Sequence, residues 1–306
     1  MMTKHQYTRR ETLKRFVLTP FFLAAPRALL GKQLWGSGLR DAASSGSLSS
    51  GSPSSGNALS GSNNKWVSLF DGKSLTGWHA NPEKIGHGTG GLWQVEKGVI
   101  VCQQDPPGSG NGGMFMTDKK YGDFELVLDV LPDWGVDSGI FFRTNNNGAC
   151  FQIYLDYHDN GLIAFISTEG KDRMYIRPFC IDGVLDTKGN LTGFITKPDS
   201  RPEAWKPDFL QYHCTPEAWK KAWKIGKWNT LRILCTGKYP RVTTWMNNVK
   251  IMEFDGETCP SPIYRKEQLA EELGREGHIA FQVHGGTSSW KEGAMCRWKN
   301  IKIKEL

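Results

Sequence analysis

The sequence predicts an all-β protein built as a sandwich of two antiparallel sheets, and three observations lead to this fold class. Short runs rich in Val, Ile, Phe, Tyr and Trp recur from residue 65 onward, separated by Gly-, Asn- and Asp-rich turns. Several runs alternate apolar and polar residues with a period of two, as half-buried strands do. The repeated helical segments that a parallel α/β sheet requires are missing. Many short strands at this spacing are typical of antiparallel sandwiches.

Seven of these runs follow one another along the chain and predict strands over residues 92–95, 99–103, 124–130, 162–167, 230–236, 241–246 and 297–304. Two insertions, at about 170–227 and 260–275, separate the later runs. Within them, Pro216 to Trp223 and Lys266 to Leu273 have helical composition. Long loops in compact domains are usually functional, so the insertions either border a groove or are surface additions.

Three further segments, 139–143, 150–156 and 279–284, alternate most clearly and predict a core face and a polar face. The predicted core face gathers the apolar positions Ile140, Phe142, Phe151, Ile153, Leu155, Ile279, Phe281 and Val283. The opposite face gathers the polar positions Arg143, Gln152, Tyr154, Asp156, Gln282 and His284. If the three strands are neighbours in one sheet, this polar set forms the floor of a groove.

The N-terminal residues predict export followed by a flexible tether. Residues 8–14 resemble a twin-arginine signal, with Arg9 and Arg10 ahead of a short apolar stretch, so residues 1–35 are interpreted as a signal segment. Residues 36–64 are rich in Ser and Gly and predict a disordered linker, with the sandwich domain over 65–306. We therefore expect a periplasmic or secreted protein with no stable membrane span once the signal is removed.

The charge and the cysteines exclude two classes of site. Eight basic and two acidic side chains in residues 1–64 supply +6 of the formal net charge of +7, so the folded part carries no nucleic-acid footprint. The seven cysteines form no CxxC pair, which argues against a structural zinc site. Cys235 and Cys296 lie in apolar runs and are interpreted as buried thiols.

Seven motifs in order resemble the 3-keto-disaccharide hydrolase family, formerly a domain of unknown function. They are Trp66–Trp78, Trp93–Gly98, Tyr121–Leu126, Asp137–Arg143, Trp228–Asn229, Trp245–Asn248, and Phe281–Gly285 together with Arg297–Ile303. The resemblance covers residues 66–306. It implies a concanavalin A-like jelly-roll sandwich with short helical insertions and a sugar-binding face. It also implies cleavage of glycosides that carry a ketone at C3.

This chemistry requires a base, a stabiliser for an enolate and groups that bind hydroxyls. A C3 ketone acidifies the C2 proton, so a base removes it, the C1 substituent leaves, and water adds back. His284 is the candidate base because imidazole titrates near neutral pH, although it could equally be a structural histidine. Arg143 either binds the enolate oxygen or pairs with Asp156. Gln152, Tyr154 and Gln282 are candidate hydroxyl binders, and Trp290 is a candidate stacking platform.

Asp156 has two candidate roles. It could orient His284, or it could hold a divalent metal ion together with His158 and His284, since Asp156 and His158 at i and i+2 share a strand face. The expected partner is a small carbohydrate or glycoside, and the sequence leaves the oligomeric state open.

Two alternative functions stay open at this stage. A lectin-like carbohydrate-binding module would use the same groove without turnover. A conventional jelly-roll glycoside hydrolase would need paired carboxylates, and the acids at Glu253, Asp255 and Glu257 come near that spacing.

Overall fold

The computed structural model describes residues 65–82, 88–170, 174–200 and 207–306, and it confirms the predicted sandwich. The predicted signal segment and linker lie outside the described residues. The strands are β1 (Val67–Ser68), β2 (Trp78–Ala80), β3 (Leu92–Glu96), β4 (Val99–Gln103), β5 (Gly113–Tyr121), β6 (Phe124–Pro132), β7 (Val136–Thr144), β8 (Cys150–Tyr157), β9 (Ile163–Glu169), β10 (Cys180–Leu185), β11 (Leu191–Lys197), β12 (Tyr212–His213), β13 (Asn229–Thr236), β14 (Arg241–Met246), β15 (Val249–Asp255), β16 (Gly277–Val283) and β17 (Cys296–Glu305). The helices are α1 (Pro216–Ala222) and α2 (Lys266–Leu273), where the composition predicted them.

Two antiparallel sheets form the sandwich. The nine-stranded sheet has the order β12-β15-β14-β13-β6-β17-β4-β3, with β1 paired to β17. The six-stranded sheet has the order β2-β5-β16-β7-β8-β9, and β10 and β11 form a separate hairpin. Strands distant in sequence are therefore neighbours, and β16, β7 and β8 lie side by side as the three alternating segments required. This is the predicted jelly-roll arrangement.

The core lies between the two sheets and contains all eight positions of the predicted core face. Phe281 illustrates the packing: its ring stacks on Trp298 of the nine-stranded sheet with centroids 4.2 Å apart, and on Trp78 at 5.1 Å. Offset aromatic stacks of this kind stabilise a core beyond the area they bury. The alternation in β7, β8 and β16 thus predicted the inner face correctly.

The outer face of the six-stranded sheet is less uniformly polar than predicted. Its middle carries a separate apolar cluster from three strands and the start of a fourth, formed by Met114, Met116, Phe141, Cys150 and Ala280. Polar groups concentrate toward the end of the sheet where β16 finishes. The candidate site therefore occupies one end of this face.

The insertion after β9 is fixed by aromatic packing. Helix α1 begins at the N-cap Thr215, whose hydroxyl accepts a hydrogen bond from the Ala218 amide, with Pro216 in the first turn. Trp219 of α1 is fully buried, donates its Nε1–H to the Ile163 carbonyl at 3.0 Å and packs edge-on against Phe194 of β11. The helix thus ties the β10–β11 hairpin to the sandwich.

Cys235 and Cys296 are buried free thiols, as predicted. Burial raises the pKa of Cys235 to about 12, so this thiol stays protonated near neutral pH. Among the described residues, no helix is long and apolar enough to cross a membrane.

Candidate functional site

The candidate site lies where β7, β8 and β16 meet at one end of the outer face. Asp137 of β7 is directly opposite Asp156 of β8 in the antiparallel ladder. Phe281 of β16 pairs with Ile140 of β7, so continuing that register places His284, just after β16, beside Asp137. Strand pairing alone therefore brings together two carboxylates and an imidazole from distant parts of the chain.

His158, two residues after Asp156, completes an acidic cluster with Asp137 and Asp156. One ligand atom from each of the three residues lies within 4.8 Å of the others. His158 Nε2 lies 3.5 Å from Asp137 Oδ2, and its Nδ1 lies 2.7 Å from the Asp159 carbonyl oxygen. Because a carbonyl only accepts, Nδ1 carries a proton, so in the neutral ring Nε2 presents its lone pair to the carboxylates.

The cluster shifts two pKa values upward. Burial and the neighbouring Asp137 carboxylate raise the pKa of Asp156 to about 7, against the opposing charges of Arg177, His158 and His284. Burial opposes the charged form of His158, but the hydrogen bond that its protonated ring donates to Asp137 and the charge of Asp156 outweigh this effect and raise the pKa of His158 to about 9. Asp156 and His158 therefore keep their protons to a higher pH than a solvent-exposed carboxyl and imidazole do.

Arg177 supplies the buried cation of the site. Its Nη1 lies 3.3 Å from Asp156 Oδ2 and its Nε lies 3.4 Å from Asp199 Oδ2, while Nη2 donates to the Asn160 carbonyl. The Arg177 side chain is only 7% exposed, so its charge acts on Asp156 with little solvent screening.

A backbone carbonyl fixes the orientation and the tautomer of His284. Its Nδ1 lies 2.6 Å from the Gly285 carbonyl oxygen, which fixes the proton on Nδ1 and leaves Nε2 as the basic nitrogen of the neutral ring. Its charge lowers the pKa of Asp156, so the two groups interact electrostatically. The predicted proximity of His284 to Asp156 is therefore present.

The polar floor extends inward from this cluster along Gln152 and Gln282. Gln152 Oε1 accepts a hydrogen bond from the Ser167 hydroxyl at 2.9 Å. The Gln152 amide lies directly over Gly139, since a Cβ atom added to this glycine would be only 2.6 Å from Gln152 Nε2. Gln282 is fully buried, and neither its Nε2 nor its Oε1 has a hydrogen-bond partner among the residues that the structure describes. A buried amide without partners is costly unless a ligand satisfies it.

Tyr154 lies beyond Gly139 on the same outer face. Its ring is parallel to that of Tyr175 with centroids 6.5 Å apart, and the Arg177 guanidinium lies 5.4 Å from its centroid. Tyr154 thus contacts the same arginine that pairs with Asp156, which places it at the border of the acidic cluster.

Two cavities adjoin the cluster on either side of the turn after β8. One, of about 350 Å³, is lined by His158 together with residues of the β10 end and the loop after His284. The other, of about 520 Å³, is lined by Asn160, Arg177 and the segment that follows β11. Both volumes lie in the range of small-molecule sites.

The acidic cluster fits a divalent cation. Two carboxylates and an imidazole with its lone pair directed inward form a donor set suited to a first-row transition ion, and the Asp159 carbonyl orients the histidine as outer-shell groups do in metal sites. The predicted metal set was Asp156, His158 and His284. The structure brings the first two together, and Asp137 takes the third position in the compact set.

Arg143 does not lie at this site, and its predicted placement is wrong. Arg143 has a positive φ of 49°, next to an irregularity in the pairing of β16 with β7, and this turns its side chain away from the outer face. Its guanidinium donates to the carbonyls of Gly237 and Lys238 and pairs with Asp123 at 3.3 Å. Arg143 therefore links the two sheets, roughly 20 Å along the strand from His284.

Trp290 lines the 350 Å³ cavity, but it is not an exposed platform. It is 2% exposed, and its Nε1–H donates to the Ala294 carbonyl at 2.8 Å.

The acids proposed for a conventional glycosidase also lie away from the candidate site. Glu253 and Asp255 belong to β15 of the nine-stranded sheet and pair with Lys250 and Arg241, so no paired catalytic carboxylates form there.

The sequence interpretation missed Asp137 and Arg177. Asp137 lies two residues before Gly139 on the same strand, so the alternation already placed both on the outer face. Only the pairing of Asp137 with Asp156 was unknown from the sequence. Arg177 lies in the insertion after β9, where no periodicity reports the direction of a side chain.

Comparison with known proteins identifies the family. Residues 65–304 match the model of the 3-keto-alpha-glucoside-1,2-lyase-like domain. A search of curated protein sequences found no match.

Solved structures with similar folds include two proteins of Parabacteroides distasonis provisionally assigned as glycosyl hydrolases. One shares 19% identity, with 79% of this chain and 94% of that chain covered and a TM-score of 0.45. The other shares 23% identity, with 79% and 100% covered and a TM-score of 0.44. A β-glucanase of Bacillus licheniformis shares 9% identity, with 79% and 97% covered and a TM-score of 0.41. On the family match, which spans the whole sandwich, this chain belongs to the 3-keto-alpha-glucoside-1,2-lyase-like domain family.

Proposed function

We propose that this protein cleaves the glycosidic bond of 3-keto-glycosides by removing the C2 proton and expelling the C1 substituent. The observation that carries the proposal is the cluster of Asp137, Asp156 and His158 beside His284, in which burial raises the pKa of Asp156 to about 7 at the end of a polar floor. Elimination next to a ketone needs such a group, because a general base works best with a pKa near the working pH.

His284 acts as the base in this proposal. Its Nδ1–H is held by the Gly285 carbonyl, so Nε2 is the nitrogen that takes the C2 proton. Asp156 lies close enough to His284 for their charges to interact, and its carboxylate stabilises the imidazolium that forms. The C2–H electron pair becomes the C1–C2 double bond, and the electrons of the C1–O bond leave with the aglycone oxygen.

Asp137, Asp156 and His158 would hold the divalent cation, if the enzyme uses one. A cation there would supply positive charge for the enolate oxygen. The predicted enolate stabiliser, Arg143, lies at the far end of the strands, so Arg177, together with a cation held by these three residues, would supply the positive charge beside the reacting carbons.

The glucosyl ring would occupy the polar floor. Gln282 offers a donor and an acceptor that have no partner within the described part of the chain, as expected of a group that binds sugar hydroxyls. Gln152 and Tyr154 border the same floor, and water addition after elimination would give net hydrolysis.

The test is turnover of a 3-keto-α-glucoside beside its unoxidised parent, with His284→Gln as the critical variant. We expect the variant to fold and bind sugar but to lose about 10²–10⁴-fold in kcat. Exchange of the C2 proton with solvent deuterium should be lost together with cleavage, because both need the same proton removal. His79→Gln is the matched control: His79 also makes a short Nδ1 contact, 2.7 Å to Asp118, but lies away from the cluster.

Near-normal cleavage by His284→Gln would remove His284 from the mechanism. Sugar binding without any cleavage by the unmutated protein would favour the lectin-like alternative.

The site of action in this proposal is outside the cytoplasm, on the basis of the twin-arginine-like leader. Replacing Arg9 and Arg10 by Lys should retain the protein in the cytoplasm. Unchanged export of that double variant would contradict the assignment.

A further inference from the structure

The 350 Å³ cavity beside His158 differs in character from the polar floor. Three apolar side chains line part of it, Trp134, Leu185 and Trp290, and the polar part of the lining is formed by His158, Asp159, Thr287, Ser288, Ser289 and Lys291. His158 belongs both to the cavity and to the acidic cluster, so the cavity begins where the reacting carbons would lie. A glycoside whose sugar ring occupies the polar floor would place its C1 substituent in this cavity.

The β10–β11 hairpin forms one wall of the cavity, and it is fixed to the turn that carries His158. The Gly183 amide donates to Asp159 Oδ1 and the Asn160 amide donates to Asp182 Oδ1, each at 2.9 Å. The Ile181 amide donates to the Gly161 carbonyl, also at 2.9 Å. Three bonds to consecutive residues after His158 hold the hairpin in place.

Trp134 packs directly on this hairpin. A Cβ at Gly183 would lie 2.6 Å from the Trp134 ring, so the indole touches the hairpin backbone and only glycine fits there. Trp134 also meets Tyr157 edge-to-face at 5.0 Å. The position of Leu185, two residues beyond Gly183, is therefore set relative to Trp134 and His158.

Leu185 is 49% exposed at the rim of this cavity, although burying leucine is favourable. A sugar hydroxyl placed against Leu185 and Trp134 would lose water without gaining a hydrogen bond, whereas an apolar ring would bury both side chains. We propose that the cavity receives an apolar, ring-shaped leaving group of the glycoside and that Leu185 determines this specificity. The inference rests on the proposed function, since it assigns the leaving-group side of the same site.

The test compares two 3-keto-α-glucosides whose leaving groups are both ordinary alcohols, cyclohexanol and glucose. A glucose hydroxyl is more acidic than the hydroxyl of cyclohexanol, so leaving-group acidity alone would favour the glucosyl substrate, and a preference for the cyclohexyl substrate reports apolar binding. The unmutated enzyme should favour the cyclohexyl substrate about tenfold or more in kcat/KM, and Leu185→Ser should remove most of that preference through KM, with kcat unchanged. Ile195→Ser is the matched control, because Ile195 of the same hairpin is 59% exposed but does not line the cavity.

A binding measurement without turnover separates this inference from the proposed function. Unoxidised cyclohexyl α-glucoside should bind more tightly than methyl α-glucoside, as followed by tryptophan fluorescence, and Leu185→Ser should remove the difference. If Leu185-dependent binding occurs but no 3-keto-glycoside is cleaved, the inference stands and the proposed function fails. If 3-keto-glycosides are cleaved without preference for cyclohexyl, or if Ile195→Ser changes the preference as much as Leu185→Ser, the inference is overturned.

Discussion

Arg143 and Arg177 are both buried arginines paired with an aspartate, yet they stand at opposite ends of the six-stranded sheet and have different surroundings. Arg143 donates to two backbone carbonyls and pairs with Asp123, whose Oδ1 also accepts from the Gly237 amide. Arg177 faces Asp156, a carboxyl whose pKa is already raised to about 7 by burial and by Asp137. At the Arg143 end the two carbonyls and the carboxylate all have partners, whereas at the Arg177 end the carboxyl keeps its proton to about pH 7.

This difference indicates that the Arg143 end of the sheet contributes to stability and the Arg177 end to catalysis. A network whose carbonyls and carboxylate all have partners holds the sheets together but offers nothing to a substrate. A cluster that retains protons near neutral pH can give and take them, and it can exchange them for a cation. The end of the sheet with Asp156 is therefore the one suited to catalysis.

The largest expected effect on stability comes from Arg143→Met. The change would leave two carbonyls without their donor and remove one partner of Asp123, which should lower the free energy of unfolding by about 1–3 kcal/mol for each carbonyl, with kcat of the folded enzyme unchanged. Arg177→Met should destabilise less, because Asp156 can take up a proton when its cation is lost. Denaturant unfolding of both variants measures this, and an equal loss in the two would contradict the comparison.

The largest expected effect on activity comes from Asp156→Asn. The change keeps the shape of the side chain but removes the charge that stabilises the imidazolium of His284 and that would bind a cation. We expect about a 10²-fold or greater fall in kcat with the fold retained. Asp123→Asn is the matched control at the other end of the sheet, and it should lower stability while leaving kcat near normal. If Asp123→Asn lowered kcat more than Asp156→Asn, the catalytic groups would lie at the Arg143 end of the sheet.

The outcome at these two arginines also shows what a sequence can predict. Alternation correctly assigned the eight core positions and the shared face of Asp156 and His158, because both follow from the two-residue period of a strand. Composition correctly placed α1 and α2, since each segment has local helical preference. These features depend on neighbours along the chain.

Arg143 was misplaced because the period of two assumes regular backbone, and a positive φ at that residue breaks the alternation. Asp137 was missed because its pairing with Asp156 is a matter of register between strands, and Arg177 because it lies in an insertion. Trp290 was predicted as a platform from its loop position, but a hydrogen bond to the Ala294 carbonyl folds it into the core. Each of these features depends on tertiary structure.

The raised pKa values of Asp156 and His158 predict that their contribution to stability falls as the pH rises. The pKa of Asp156 is about 7 in the folded protein and has its ordinary value of 3.8 in the unfolded chain, so the folded state binds more protons between these pH values. The contribution of His158 is fully present below its unfolded value of 6.5 and is lost as the pH rises through about 9. The free energy of unfolding should therefore fall by up to about 1.4 kcal/mol per pH unit for each group. Chemical denaturation between pH 4 and 9 measures the slope.

Two variants locate the source of that slope. Asp156→Asn should flatten the curve between pH 4 and 7, and His158→Gln should flatten it between pH 6.5 and 9. An unchanged slope in both would place the proton uptake in other groups.

A divalent cation should compete with these protons. Because cation binding at Asp137, Asp156 and His158 requires the deprotonated groups, Mn²⁺ should raise the Tm more at pH 8 than at pH 5 and should release protons on binding. Isothermal titration in two buffers of different ionisation enthalpy measures the proton release. Asp137→Asn should abolish the Tm shift, and a shift of equal size in that variant would place the cation elsewhere.

The smallest effect extends the comparison from charges to neutral amides. Gln152 has its Oε1 bonded to Ser167, whereas both polar atoms of the buried Gln282 are without partners. Gln282→Met keeps the length of the side chain and removes the unsatisfied amide, so the stability should stay the same or rise by about 1–2 kcal/mol. Sugar binding should weaken, because the sugar hydroxyls lose their partner on Gln282.

Gln152→Met is the matched control and should lower stability, since it leaves the Ser167 hydroxyl without its acceptor. Thermal unfolding and calorimetric titration with sugar would test both variants, and a destabilised Gln282→Met that binds sugar normally would show that Gln282 is a structural residue rather than part of the sugar site.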